Sequence, residues 1–411
     1  MGKFRRLIGR WVGSVGPGLV TGAADDDPSG IATYSIAGAQ TGYTMLWVAF
    51  ITTPMMAVID GTCARIAMAT NKGLMRVLRS TMPYPVAVAL GVLVVIANTF
   101  NIGADIAAMA ASATMLSTVP PEVWIVAFSA TIVIAEVYLP YRRFARVVEW
   151  LCAALLAYVV TAFVVHPPWL KVIGHLVVPS FSWQKDWLTT LTATLGTTIT
   201  PYLFFWQTSM TVEDSAERKR PLAAVHADAN TGAIYSNLIM FFIVVTAAAT
   251  LGAHGKHTIA TAQDAASALK PLAGQFAFAI FTVGIVGTGL LAVPVLAGSS
   301  AYITAELLKM REGLAEKPRR APGFYGVIAA GVLAGMLMAL MHVDPIGALF
   351  WSAVLNGVAS VPLLYAIIRV AADGRVLGEF VVSRVALIWL WLAFGLMTVA
   401  TLAMFASWIH W

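Results

Sequence analysis

Apolar residues run along this chain in long blocks separated by short polar loops, the pattern of segments that cross a bilayer rather than of a soluble core. Blocks of about 20 residues, enough to span membrane hydrocarbon as a helix, fall near 13–42, 44–70, 84–117, 121–140, 144–166, 187–213, 229–252, 273–308, 323–342, 344–370 and 384–409. About eleven spans follow from this pattern. The third and eighth are long enough to tilt or to project beyond the bilayer. The connector HPPWLKVIGHLVVPSFSWQKD, between the fifth and sixth spans, is expected at the membrane surface.

Two spans carry helix-breaking residues. Span 1 reads GPGLVTGAADDDPSGIATYSIAGAQ, where Pro28 and Gly30 oppose a continuous helix beside Asp25, Asp26 and Asp27. Span 6 reads LTTLTATLGTTITPYLFFWQTSM, with Gly196, Pro201 and a run of threonines at its middle. A kink explains either one alone, because transmembrane helices tolerate proline. Together they open two consecutive five-span units, and an odd number of spans inverts the second unit relative to the first. Matching interruptions in inverted repeats point to a binding site at the bilayer midplane, built partly from unwound backbone.

Composition agrees with the pattern. Of 411 residues, 59% are apolar and 11% charged, against about 25% charged in an average soluble domain. The net charge of +6 does not mark a nucleic-acid surface, since no basic patch is interleaved with aromatics. Of the 26 Lys and Arg, this topology leaves Lys171, Lys185, Lys256 and Lys270 on the outer side and Arg65 within or at the end of a span. All the others, from Lys3 through Arg142, Arg143, Arg146, Arg218, Lys219 and Arg220 to Arg384, fall on one face. That asymmetry puts the amino terminus in the cytoplasm and the carboxyl terminus, His410–Trp411, outside. The basic start MGKFRRLIGRWVG leads into the aspartates without a long apolar core, so no signal peptide is expected, and a bacterial inner membrane is the expected location.

The polarity of the break selects its cargo. Carboxylates inside a membrane cost roughly 2.5–3.5 kcal/mol each on insertion scales unless they are compensated. Three in a row beside freed carbonyls make an oxygen-rich, negative pocket that suits hard divalent cations and repels an anionic substrate.

These residues resemble the natural-resistance-associated macrophage protein (NRAMP) family of divalent metal transporters. That family carries Asp-Pro-Gly-Asn in broken helix 1 and Ala-x-x-Met-Pro-His in broken helix 6. Here helix 1 has Asp27-Pro28-Ser29-Gly30 followed by Ile31-Ala32-Thr33, and helix 6 has Thr197-Thr198-Ile199-Thr200-Pro201-Tyr202. The likeness continues through the ARIAMAT segment after span 2, Asp105 in span 3 and a ten-span core to about residue 370. It implies an all-α polytopic membrane protein with a LeuT-like fold and broken helices 1 and 6. The inverted repeats would be 13–166 and 187–370, with 384–409 an additional helix. The metal is then the transported substrate rather than a cofactor, and alternating access the mechanism. A divalent cation and the lipid bilayer are the partners expected, with a monomer as the working assembly.

Carried over by residue, the resemblance places the ion at Asp27, beside the breaks at Pro28 and Pro201. The family's Asn position holds Gly30, its Met position Thr200, its backbone-ligand Ala position Thr197, and its His position Tyr202. Loss of a thioether removes the soft donor that favours Mn²⁺, Fe²⁺ and Cd²⁺, so harder oxygen ligation of a hydrated Mg²⁺ is expected, through Ser29, Thr197 and Thr200. This resembles the NRAMP-related branch that carries Mg²⁺, with Mn²⁺ the alternative cargo. Tyr202 does not titrate near neutral pH as His does, and Ala108 replaces the usual acidic neighbour of Asp105 on the proton route. Weak or absent proton coupling is therefore expected, against the proton-coupled Mn²⁺/Fe²⁺ symport of the usual family member.

Other residues are weighed more plainly. Asp26 is a candidate ligand, while Asp25 is either part of the pocket or structural. Asn356 lies near where the family brings a Gln to the ion, and an ordinary interhelical bond explains it equally well. Gln207 shares a face with Thr200. Asp60 and Arg65 could pair, and Glu136 and Glu306 are expected at the interface. His226, His254 and His257 are expected to be solvated, and Cys63 and Cys152 to be buried bystanders. The tryptophans near block ends, among them Trp11, Trp47, Trp169, Trp187, Trp408 and Trp411, are expected as interface anchors. GIVGTG and AGSS in span 8 suggest close helix packing, and the methionines of AGMLMALMH lipid or packing contacts. A Mg²⁺ channel would favour one repeated pore segment, and an intramembrane aspartyl hydrolase would need two carboxylates from different spans. A transporter of some other substrate on the same fold is the third rival.

Overall fold

The computed structural model describes residues 22, 24–139, 151, 153–217 and 221–409, and every regular element among them is helical. The first group of helices is α1 (Pro28–Thr41), α2 (Leu46–Thr70), α3 (Leu74–Thr81), α4 (Tyr84–Thr114), α5 (Pro121–Tyr138), α6 (Leu156–Val165) and α7 (Trp169–Val177). The second is α8 (Lys185–Thr198), α9 (Pro201–Glu217), α10 (Leu222–Thr250), α11 (Ala277–Leu308), α12 (Pro322–Leu340), α13 (Pro345–Ala371) and α14 (Arg384–Ile409), with only short turns of helix between them. Among the described residues, α2, α4, α5, α10, α11, α12, α13 and α14 contain the eight stretches long and apolar enough to cross a membrane. The shorter α1, α6 and the α8–α9 pair occupy the first, fifth and sixth expected positions.

Proline sets where several helices begin. Pro28, Pro121, Pro201, Pro322 and Pro345 each open one, a position where the missing N–H is a donor the helix leaves unused anyway. Pro54, Pro294 and Pro362 sit inside α2, α11 and α13 without ending them. In the first and sixth spans the chain leaves helical geometry at Asp26–Asp27 and again at Ile199–Thr200.

Packing divides the bundle into two groups. The helices α1, α2, α9 and α10 pack on one another, α10 lying against both α1 and α2. The helices α4, α5, α11 and α12 form the other group, with α4 against all three partners. α8 and α13 cross closely, and α14 covers both. The crossing is close because Gly196 and Gly357 face each other: a Cβ on Gly357 would stand 2.8 Å from the Thr192 carbonyl oxygen. Small residues in α11 serve the same end, as a Cβ at Gly298 would stand 2.8 Å from the Trp206 ring.

Several expectations are corrected. Gly30 and Gly196 lie within α1 and α8, so proline and the two unwound dipeptides, not these glycines, make the breaks. The connector after α6 contains α7, and its Phe181 lies against Trp47 and Trp187, which are buried rather than interfacial. His226 is helical, within α10, where Arg65 donates to its Nε2 at 3.0 Å. His257 is exposed in a loop, as expected, and bonds the Ala39 carbonyl at 2.9 Å, which ties that loop to the end of α1. Glu306 is buried and accepts from the Arg76 amide at 2.7 Å, anchoring the start of α3 to α11. Glu136 is buried as well. Cys63 is free and buried as expected. Trp11, the basic residues of the first segment, Arg142, Arg143, Arg146, Cys152, Arg218, Lys219, Arg220, His410 and Trp411 lie outside the described residues.

Candidate functional site: two helix breaks around buried carboxylates

Asp27 ends the first break and caps α1. Its Oδ1 accepts the Gly30 amide at 2.7 Å, which satisfies one of the donors every helix start leaves open. Its Oδ2 accepts Nδ2 of Asn101, from α4, at 3.0 Å. The carboxylate is thus oriented from its own helix start and from α4. The residue is buried, 1% exposed, as are Asp25 and Asp26 at 0%.

The second break lies across from it. Ser29 and Thr197 share a hydrogen bond between hydroxyls at 3.2 Å. Thr198 donates to the Thr194 carbonyl at 2.7 Å, so Tyr34, 3.0 Å away, donates to Thr198. The Ile199 carbonyl, freed where α8 ends, accepts Ser360 from α13 at 2.6 Å. Tyr202, in the first turn of α9, donates to the Ala24 carbonyl at 3.1 Å, and its own carbonyl accepts Ser299 of α11 at 2.9 Å. Tyr202 thereby joins the chain before the first break to the helix after the second.

Several buried polar atoms here have no hydrogen-bond partner among the described residues. They are both oxygens of Asp105, Asn101 Oδ1, and both polar atoms of the Asn356 amide. Asp105 stands one turn beyond Asn101 on α4, and Asn356 one turn before Ser360 on α13. A buried polar group without a partner is costly, and such groups in a fold mark a place for a ligand, water or ion. Among the described residues no three His, Cys, Asp or Glu side chains converge as a metal cluster. Carboxylate, amide and hydroxyl oxygens supply the polarity instead.

Of the residues singled out in the sequence, Asp27, Gly30 and Thr197 come together directly. A Cβ on Gly30 would stand 3.4 Å from both Thr197 Oγ1 and the Asp25 carbonyl oxygen. Asp26 turns instead toward α10, where Ser236 donates to Asp25 Oδ2 at 2.6 Å and lies 3.3 Å from Asp26 Oδ1. Asn101, Ser236 and Ser360 were missed. Asn98, Asn101 and Asp105 recur at three and four residues in an otherwise apolar helix, a polar stripe that could have revealed Asn101.

Two spans broken beside buried carboxylates, within a bundle whose regular elements among the described residues are all helical, belong to a LeuT-like fold. The chain belongs to the natural resistance-associated macrophage protein-like family, whose model matches residues 18–407. It is 28% identical over 320 residues to a divalent metal cation transporter, MntH, of Agrobacterium fabrum, covering 75% of this chain and 68% of that one. It is 25% identical over 379 residues to the MntH of Acidiphilium cryptum, covering 87% and 86%. In three dimensions it superposes on a manganese transporter of Eremococcus coleocola with a TM-score of 0.72 at 16% identity, covering 95% of this chain and 85% of that one. The nucleobase-cation-symport-1 family transporter Mhp1, in a closed conformation, gives a TM-score of 0.61 at 16% identity, covering 96% and 92%.

Proposed function

We propose that this chain carries a divalent metal cation across the membrane by alternating access, with hydrated Mg²⁺ as its cargo and without strong proton coupling. The observation that carries this is the placement of Asp27. It is a buried carboxylate oriented by Gly30 and Asn101, with a hydroxyl, Thr197, reached through Ser29 from the other break. Thr200, a residue with oxygen alone to offer, stands where the family carries a thioether. Hard oxygen donors with room for waters favour Mg²⁺ over softer ions.

Asp27 is the principal ligand in this proposal. Thr197, Thr200 and the Asn356 amide face the ion or its waters, and Asp26 adds charge from the side. The α1, α2, α9 and α10 group rocks against the α4, α5, α11 and α12 group, opening the site to each face in turn. The repeats would be 13–166 and 187–370, and the amino terminus cytoplasmic, as the basic residues direct in a bacterial inner membrane. The named relatives are transporters, which supports transport over hydrolysis.

Proton-coupled Mn²⁺ transport is the second reading, and Asp105 favours it. Its two unpartnered oxygens lie one turn from the residue that holds Asp27, a position from which a proton could leave the site. Against it, Tyr202 presents a phenol already donating to Ala24. Calorimetric titration of the purified chain with Mg²⁺ and with Mn²⁺ separates the two. Saturable Mg²⁺ binding that Asp27→Ala abolishes supports the proposal. Binding of Mn²⁺ with none of Mg²⁺ overturns the choice of cargo.

A further inference from the structure

A groove of about 260 Å³ opens between α4 and α11, away from the two helix breaks. Val88, Val92 and Ile96 of α4 form one wall, Leu307 and Leu308 of α11 the other, and Tyr84 stands at the mouth. Gly91, buried behind the first wall, lets α11 come close: a Cβ there would stand 2.7 Å from Leu307 Cδ1. Of the lining side chains only Tyr84 and Thr304 carry a hydroxyl, and Thr304 donates its own to the Ser300 carbonyl at 2.8 Å. Tyr84, Val92, Ile96 and Leu308 are between 49% and 62% exposed. On helices that cross a membrane, such apolar side chains face hydrocarbon rather than water. From Tyr84 to Ile96 the axis of α4 rises about 18 Å, close to the roughly 15 Å of hydrocarbon in one leaflet. The groove has the length of one acyl chain.

Its mouth is cationic. Arg79, in the last turn of α3, donates through Nη1 to the Glu306 and Leu307 carbonyls at 3.0 and 2.9 Å. Its guanidinium carbon lies 5.7 Å from the centroid of the Tyr84 ring, within cation–π range. These contacts hold Arg79 at the mouth, while its Nε and Nη2 have no partner among the described residues. Lys309 follows Leu308 directly, at the left-handed residue that ends α11, and is exposed. It makes no ion pair among the described residues. The cations nearest in sequence are already paired, Arg76 with Glu312 at 2.5 Å and Arg311 with Glu316 at 3.5 Å. Glu306 is buried and turned to the Arg76 amide. Arg79 and Lys309 therefore leave positive charge at the mouth of an apolar slot.

We infer that this groove binds an anionic phospholipid of the phosphatidylglycerol class, one acyl chain between α4 and α11 and the phosphate on Arg79 and Lys309. The apolar slot, one leaflet deep, selects a chain. The two cations at its mouth select a negative headgroup, and the planar fork of Arg79 suits a phosphate. The leaflet is the cytoplasmic one, because Lys72, Arg76 and Arg79 lie on the face where the basic residues collect. The location sets the consequence. α3 joins α2, in one helix group, to α4, in the other. A headgroup bridging Arg79 and Lys309 ties that joint to α11, so lipid occupancy conditions the movement of one group against the other. No residue of the cation site takes part, and the choice of cargo does not enter.

The test is the unfolding midpoint of the purified full-length chain in detergent, with phosphatidylglycerol, phosphatidylcholine of the same acyl chains, or inorganic phosphate added. Phosphatidylglycerol is expected to raise the native midpoint by a few degrees, saturably, and the other two to raise it far less. Arg79→Gln removes the headgroup's donor and Val92→Trp fills the groove. Each is expected to lose the increment, measured from that variant's own lipid-free midpoint. Lys309→Gln, which has no ion pair to lose, is expected to shrink the increment and serves if Arg79→Gln does not fold. Equal increments from the two lipids in the native chain overturn the anionic headgroup, and an equal increment from inorganic phosphate overturns the lipid. No phosphatidylglycerol increment in the native chain overturns the site, as does one that is unchanged in both Val92→Trp and Lys309→Gln.

Discussion

Asn101 donates from α4 to Oδ2 of Asp27 at 3.0 Å, so a residue of one helix group sets the orientation of the carboxylate that begins α1 in the other. The bond crosses the boundary that alternating access has to move. Removing one partner of such a bond leaves a buried acceptor unsatisfied, at a cost of about 1–3 kcal/mol. Asn101→Ala is expected to weaken metal binding roughly 5- to 150-fold, the same energy expressed as an equilibrium constant. Calorimetric titration checks it; an unchanged dissociation constant would show that Gly30 alone orients Asp27.

Selectivity is expected to follow the two positions where this chain lacks the family's side chains. The combined substitutions Gly30→Asn and Thr200→Met restore a carbonyl oxygen and a thioether. A Cβ at position 30 would stand 3.4 Å from the Asp25 carbonyl oxygen, Thr197 Oγ1 and the Tyr34 ring, an ordinary contact for that atom. The double variant is expected to gain Mn²⁺ and Cd²⁺ binding and lose Mg²⁺ binding, because soft donors prefer softer ions. Competition titration measures this directly, and an unaltered order of affinities would count against the ligand positions.

Tyr202 is expected to act through a hydrogen bond rather than a proton. Tyr202→Phe removes the donor to the Ala24 carbonyl and should lower stability by about 0.5–1.5 kcal/mol, the usual net value of one hydrogen bond. Proton movement during uptake is expected to stay unchanged in that variant. A fall in proton flux on loss of this hydroxyl would assign Tyr202 a place in a relay.

The crossing of α8 and α13 supplies a packing test, read on stability rather than on transport. A methyl group at Gly357 would press on the Thr192 carbonyl at 2.8 Å, tighter than side chains tolerate. Gly357→Ala is therefore expected to cost about 1–3 kcal/mol, as overpacking of a tight interface does. Thermal unfolding followed by size-exclusion recovery reads it, and a midpoint equal to the native chain's would mean the helices part easily.

Much of this architecture was legible in the chain. Long apolar blocks announced the spans, and Asp27-Pro28 and Thr200-Pro201 announced the breaks, because proline at a helix start is a local rule. The partners of the site were not legible to the same degree. Asn101 and Ser236 reach the aspartates from α4 and α10, 74 and 211 residues away from the atoms they bond. A single polar residue in an apolar helix declares that it needs a partner, but not which helix supplies it. Gly30 and Gly196 misled for the related reason that glycine serves both breaks and close packing. The structure assigns Gly196 to packing. Glu306 was expected at the interface because it lies near a span end; the fold buries it by bringing the Arg76 amide of α3 beneath it.

The most direct measurement is ion uptake into proteoliposomes, with Mg²⁺ and Mn²⁺ compared while internal pH is followed and Asp27→Ala run as the control. Mg²⁺ entry without acidification, abolished by the substitution, is the result expected from an oxygen-lined site with Tyr202 in place of a titrating imidazole. Entry of Mn²⁺ that excludes Mg²⁺ and carries protons inward would contradict it, and would mean that proton-coupled transport persists despite Gly30, Thr200 and Tyr202.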